Sequence, residues 1–218
     1  MAIVAAAAPP AHGQTPAAGR FELGGGVVWL GGSTLGQRDA TETTAAGSVS
    51  RLFSSSSREG GAPGLEAQVD IRVSRRFDAE AFASFAKPSL SVTVANDSEV
   101  AGSTTATETL KQYAVGGRVL WYVPSTGLQR TMPRARVFVS AGAAYLRQLH
   151  EGETLGVSGT LFDVGGGLKY MFRTRAGGHL KGTGLRGDFR VGAQRKGIAF
   201  DDSLRFAPSV GVSLFARF

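Results

Sequence analysis

The sequence predicts an all-β protein, a single up-and-down antiparallel transmembrane β-barrel of eight strands with a polar filled interior. Three observations predict it. Residues 65–73 alternate without a break: Leu65, Ala67, Val69, Ile71 and Val73 fall on one face, and Glu66, Gln68, Asp70 and Arg72 on the other. That is the side-chain period of a strand. The same pattern recurs about eight times and closes on an aromatic residue, with Val210, Val212, Leu214, Ala216 and Phe218 on one face. Finally, the apolar face is one thin row per strand, while the polar face is too charged to be an ordinary core. A closed barrel with lipid outside and polar side chains inside satisfies both faces.

The first strand, about 21–31, puts Phe21, Leu23, Val27 and Trp29 outward and Glu22 inward, with the bare run Gly24, Gly25 and Gly26 between. Residues 33–63 are rich in Thr, Ser, Gly and Ala and read as a mobile polar loop. The second strand is 65–73, and the connection at 74–76 is minimal. The third starts at Phe77, with Ala79, Ala81, Ala83 and Phe85 outward and Asp78 and Glu80 inward; Phe82 breaks the inward polarity. Lys87 and Pro88 interrupt the phase, and Leu90, Val92 and Val94 continue it on the other parity, which reads as a bulge followed by a second polar loop at 96–107.

Strand four directs Tyr113, Val115, Val119, Trp121 and Val123 outward and Arg118 inward. Strand five directs Val137, Val139, Ala141, Ala143 and Tyr145 outward and Arg136 inward. Strand six has Asp163 and Lys169 inward between Phe162, Val164, Leu168, Tyr170 and Phe172. Strand seven has Arg186, Asp188, Arg190 and Gln194 inward between Leu185, Phe189, Val191 and Ala193. Strand eight is about 204–218. An even count puts both termini on one rim, and the long segments 33–63 and 87–107 leave the other. Outward aromatic residues gather toward both rims, as at two membrane interfaces. Phe21 to Trp29 spans roughly 26 Å of strand at ~3.3 Å per residue, close to the height of an apolar membrane band.

The 218 residues fit one domain. Residues 1–13 read as the remnant of a secretory signal, with an apolar run at 2–8 and small residues Ala11 and Gly13 before the expected cut, though without a basic start. Residues 14–19 form a short tether and 20–218 the barrel domain. No run of about 20 apolar residues exists for a membrane helix. The absence of cysteine removes disulfides, thiolate metal sites and cysteine nucleophiles together. The net charge is +7. Its basic residues form neither one run nor one face, which argues against nucleic acid as a partner; a surface meeting anionic lipid headgroups gains from such a balance.

In these residues the chain resembles the small outer-membrane β-barrel proteins of the OmpA/OmpX type over about residues 20–218. The sharpest motif is the C-terminal strand 210–218, alternating apolar residues that close on Phe218. The resemblance implies a bacterial outer-membrane location, contact with outer-membrane lipid and lipopolysaccharide, and Phe218 as the signal read by the barrel-assembly machinery. It also implies a structural or surface-interaction role, in adhesion or membrane integrity, with 33–63 and 87–107 as the surface for any partner.

Inside a barrel of eight strands there is room for side chains but little for a channel. The inward charges Glu66, Asp70, Arg72, Glu80, Arg118 and Arg136, with Asp163, Lys169, Arg186, Asp188 and Arg190, are of both signs. Glu22, Asp78 and Arg217 join them at the terminal rim. Cross-barrel ion pairs that plug the lumen are expected; a small gated pore is the alternative. A soluble lipocalin-like barrel needs the apolar face inward around a cavity, and leaves the aromatic rims and terminal Phe without a role. Residues 182–187 match G-x-G-x-x-G, but a turn precedes them and an alternating strand follows, where a nucleotide loop needs a strand and then a helix. His150 lies beside Glu151 and Glu153 near the outer rim and reads as a solvated loop residue. The sequence therefore predicts no enzyme, no catalytic or metal residues and no cofactor.

Overall fold

In a computed structural model, residues 20–43, 45, 47–96, 102–124, 132–150, 156–174, 178–198 and 203–218 are described. They form twelve strands: β1 (Phe21–Leu30), β2 (Ser33–Thr43), β3 (Val49–Glu59), β4 (Ala62–Arg72), β5 (Phe77–Ala86), β6 (Ser89–Ala95), β7 (Thr104–Thr109), β8 (Lys111–Tyr122), β9 (Ala135–Leu149), β10 (Gly156–Thr174), β11 (Gly182–Lys196) and β12 (Arg205–Arg217). Eight close a barrel in the order β1-β12-β11-β10-β9-β8-β5-β4, every neighbour antiparallel. Closure brings the first and last strands together, with Val27 opposite Val212 and Glu22 opposite Arg217. A closed sheet leaves no barrel edge unpaired, which is the condition for crossing lipid with strands.

The alternation in sequence becomes the inside and outside of this wall. Val27, Val115, Val164 and Leu214 are each 60–61% exposed, while Asp70 and Arg186 are 2% and 0% exposed. Phe21, Phe77, Trp121, Phe172 and Phe218 stand exposed toward the terminal rim, and Trp29, Tyr113, Tyr145, Phe162 and Phe206 toward the other.

The segments 33–63 and 87–107 are not the loops the sequence predicts. β2 and β3 extend the β1–β4 pair as a hairpin, β6 and β7 extend β5–β8, and β3 pairs with β6 to give a sheet in the order β2-β3-β6-β7. Residues 89–95 are thus no continuation of the third barrel strand. Thr is β-branched and suits a strand, and hydroxyls bridge the strands, Thr93 to Thr105 at 2.9 Å and Ser91 to Thr107 at 3.2 Å. Both faces of this sheet carry polar residues, so the apolar alternation that marks a strand is missing from its sequence.

On its barrel side the sheet carries an apolar cluster of Leu35, Leu90 and Leu110, with Val92 and Ile198 against it. Ile198 follows β11, which stands four places from β5 in the ring of eight. The cluster therefore spans the outer mouth of the barrel and lies across the lumen.

Candidate functional site

Among the described residues, the lumen gathers ionisable side chains in number. Its fourteen charges are seven acids and seven bases, so it is neutral as a whole. Two hubs organise them. In the outer half, Arg118 donates to Glu80 at 2.8 Å, to both oxygens of Asp163 at 3.1 Å and to both oxygens of Glu66 at 3.2 Å. Its guanidinium stacks 3.4 Å from the Phe82 ring centre. Arg190 reaches Glu66 and Asp188, both at 2.9 Å. Arg186 meets Asp188 at 3.0 Å and pairs with Glu80, joining β11 to β5 across the full width of the barrel.

Nearer the termini, Lys169 donates to Glu22 at 2.8 Å, pairs with Asp70, and lies 3.9 Å from Asp78. Glu22 also takes the Arg217 guanidinium, with Nε at 2.7 Å. Arg72 bridges Glu22 and Asp78, each at 3.7 Å, and Tyr122 donates to Asp78 at 2.5 Å. Arg136 is the half-exposed member of the set. It stacks 3.7 Å from the Tyr122 ring centre and donates to the Arg75 carbonyl at 3.0 Å.

Glu22, Asp70 and Asp78 offer oxygens within 4.8 Å of one another, close enough to hold a cation. The Lys169 ammonium already occupies that position, so these carboxylates have their countercharge from the chain itself.

The interior is not polar throughout. Leu120, Tyr122 and Phe138 form a buried cluster, as do Phe82, Ala114, Ala144 and Leu146. Of these, only Phe82 stands out in the sequence as an inward apolar residue. The others had a weaker signal: Leu120 lies between Val119 and Trp121, and Phe138 between Val137 and Val139, where alternation gives way to unbroken apolar runs. Small residues make room for these inward side chains. A Cβ on Gly142 meets Arg118 Cγ at 2.4 Å, and one on Gly167 meets the Phe138 ring at 2.7 Å.

Above the Arg118 hub is a cavity of about 60 Å³, lined among others by Glu66, Asp163, Arg190, Gln112, Gln194 and Glu59. Gln148 accepts from Gln194 at 3.4 Å and from the Ile198 backbone at 3.3 Å, and donates to Gln112 at 3.0 Å, beneath the apolar cluster at the mouth. Glu59 ends β3, beyond the outer aromatic residues and outside the barrel strands. Burial pushes its carboxyl up to about 7, against the pull of Arg205 and Ser33.

The remaining sequence candidates fall elsewhere. His150 meets Glu108 at 3.0 Å; Glu151, Glu153 and the proposed signal and tether at 1–19 lie outside the described residues. Residues 182–187 are the start of β11, inside the ladder with β10 and β12, so the glycines line a strand and not a phosphate loop.

No protein-family model matches the sequence, and no curated protein does. Among solved structures the chain is similar to Neisserial surface protein A (NspA), at 8% identity and a TM-score of 0.53, over 91% of this chain and 97% of that one. The chain has the fold of the small eight-stranded outer-membrane β-barrels. Weaker likenesses are to the N-terminal β-barrel domain of Pseudomonas aeruginosa OprF (10% identity, TM-score 0.40, covering 90% and 98%) and to Ail, the attachment invasion locus protein of Yersinia pestis (10%, 0.39, covering 92% and 99%).

Proposed function

We propose that this chain is an integral β-barrel of a bacterial outer membrane, non-enzymatic, with a lumen closed by ion pairs and a structural or surface-interaction role. The observation that carries the reading is the inversion of polarity. A band of exposed apolar side chains encircles the wall, and charged pairs fill its inside. A soluble ligand-binding barrel needs the reverse arrangement. A small pore needs a continuous water path, which the cross-lumen pairs obstruct.

In this reading the termini and the short connection at 74–76 face the periplasm, Phe218 serves the assembly machinery, and the sheet of β2, β3, β6 and β7 stands outside the cell. It presents hydroxyls and charged groups to whatever adheres there, lipopolysaccharide included. The partner surface is therefore a preformed sheet and not a pair of loops.

Extraction tests the reading. The protein is expected to stay with the membrane through carbonate and high salt, to dissolve only in detergent, and to migrate faster on gels before boiling than after. Partition into the aqueous phase without detergent sinks it.

A further inference from the structure

The rim that holds the termini is basic without acidic side chains among its described residues. The lumen holds seven acids and seven bases. Among the described residues beyond the outer ends of the barrel strands, four acids stand among nine bases. Among the described residues of the terminal rim, at 20, 73–76, 123–124, 132–134, 173–174 and 178–181, there are six bases and no acidic side chain.

Depth and shape say what this rim meets. Arg20, Arg76 and Arg173 each adjoin an outward aromatic residue, Phe21, Phe77 and Phe172. One residue of extended chain is ~3.3 Å, so these cations sit just beyond the aromatic belt, at headgroup depth, on stems long enough to reach a phosphate. Arg20, Arg75, Arg76, Arg134 and Arg173 are exposed, and among the described residues none of them meets a carboxylate. Arg134 also borders an outward groove of about 560 Å³ whose other walls are Met132, Pro133, Leu168, Tyr170 and Leu185. A cation at the end of an apolar groove matches an amphiphile, with phosphate at one end and acyl chain at the other. A soluble polyanion gains nothing from the groove.

We infer that this rim is a docking collar for anionic phospholipid of the leaflet it meets, with Arg134 and its groove seating one headgroup and one acyl chain. The inference rests on the membrane reading above and adds a lipid preference confined to one rim.

The two tryptophans test it, because Trp121 pairs with Phe77 at the collar and Trp29 stands at the opposite rim. Trp29→Phe and Trp121→Phe variants of the full chain are placed in bilayers containing brominated phosphatidylglycerol or brominated phosphatidylcholine, and quenching gives the relative association of each lipid. Phosphatidylglycerol is expected to be preferred several-fold at Trp121 and not at Trp29. The preference should shrink with salt and fall toward unity in Arg75→Gln/Arg76→Gln/Arg134→Gln. Inorganic phosphate at matched ionic strength should not displace it. Lipid retained by the detergent-purified wild-type protein, measured by mass spectrometry, reports the same preference without any substitution.

Equal preference at the two tryptophans, or preference that survives neutralisation, overturns the collar. So does binding of soluble polyglutamate at this rim in place of phosphatidylglycerol, which assigns it to an acidic partner instead. Failure to insert into bilayers at all sinks the membrane reading and the collar with it; insertion without preference sinks the collar alone.

Discussion

The loss of Arg118 is expected to leave a buried charge stranded in the lumen. Arg118 holds three carboxylates, of which Glu66 and Glu80 also have Arg190 and Arg186, whereas Asp163 has no second cation among the described residues. Removing one partner of a buried pair leaves an uncompensated charge and costs about 3–5 kcal/mol. Arg118→Met is therefore expected to lower the urea midpoint of unfolding in detergent by that order, and Arg118→Met/Asp163→Asn to recover part of it. If the double variant is no better than the single one, Asp163 is not the stranded charge. Glu59 gives the opposite case, a group whose charge opposes folding. Its folded value of about 7 lies above the ordinary 4.5, so between those values the folded state holds a proton that the unfolded chain has lost. Stability falls as pH rises through that window. The contribution is at most about 3 kcal/mol, from 1.36 kcal/mol per unit. Glu59→Gln should be more stable than wild type at pH 8 and indistinguishable near pH 4.5, as read from paired unfolding curves; the same gap at both pH values counts against the assignment.

At the scale of the element, the faces of the strands make distinct predictions. Val69 and Val191 point out of the wall, and Arg at either is expected to cost about 2–4 kcal/mol near mid-membrane. Gln194 faces inward, is only half-buried and lines the polar cavity below the mouth, so Gln194→Arg should cost less. Equal damage on both faces argues for an apolar-cored soluble barrel. Gln68 is a poorer inward control than its parity suggests: it is bonded to Ser213 at 3.1 Å and packed over Gly24, with no room for a longer side chain. The hairpin sheet is held down at Leu110, which is fully buried. Leu110→Ala is expected to cost about 2–5 kcal/mol locally and to expose β2, β3, β6 and β7 to protease while the barrel stays intact; unchanged cleavage contradicts the clamp. These elements also show what the sequence could and could not reveal. The eight wall strands were legible because an apolar outer face and a charged inner face impose strict alternation, as in Leu65 to Val73. The four hairpin strands were not, because with polar residues on both faces Ser54 to Ser57 and Thr104 to Thr107 carry no period. Pairing partners in the lumen were hidden too: alternation shows that Arg186 and Glu80 point inward, but only barrel closure shows that they meet across its diameter.

At the scale of the whole molecule, charged and apolar layers follow one another along the barrel axis. From the termini inward come the Lys169 hub with the Leu120, Tyr122 and Phe138 cluster beside it, the Arg118 hub, the cavity of about 60 Å³, and the Leu35, Leu90 and Leu110 cluster over the mouth. One water needs roughly 10–15 Å³ of such volume, so the cavity holds a few waters and not a column. Two of the ties, Lys169 to Asp70 and Arg186 to Glu80, join strands four places apart in a ring of eight, and so cross the centre where a pore would run. Opening a path means separating buried pairs, each of which costs several kcal/mol per ion to leave without its partner. The purified barrel in a planar bilayer is therefore expected to show no steady current, only rare small openings. Lys169→Ala removes a central tie and should raise the frequency of those openings. Stable conductance in the wild-type protein that changes when Arg118 or Asp70 is neutralised means that water already runs past these pairs, and the small gated pore then replaces the plug.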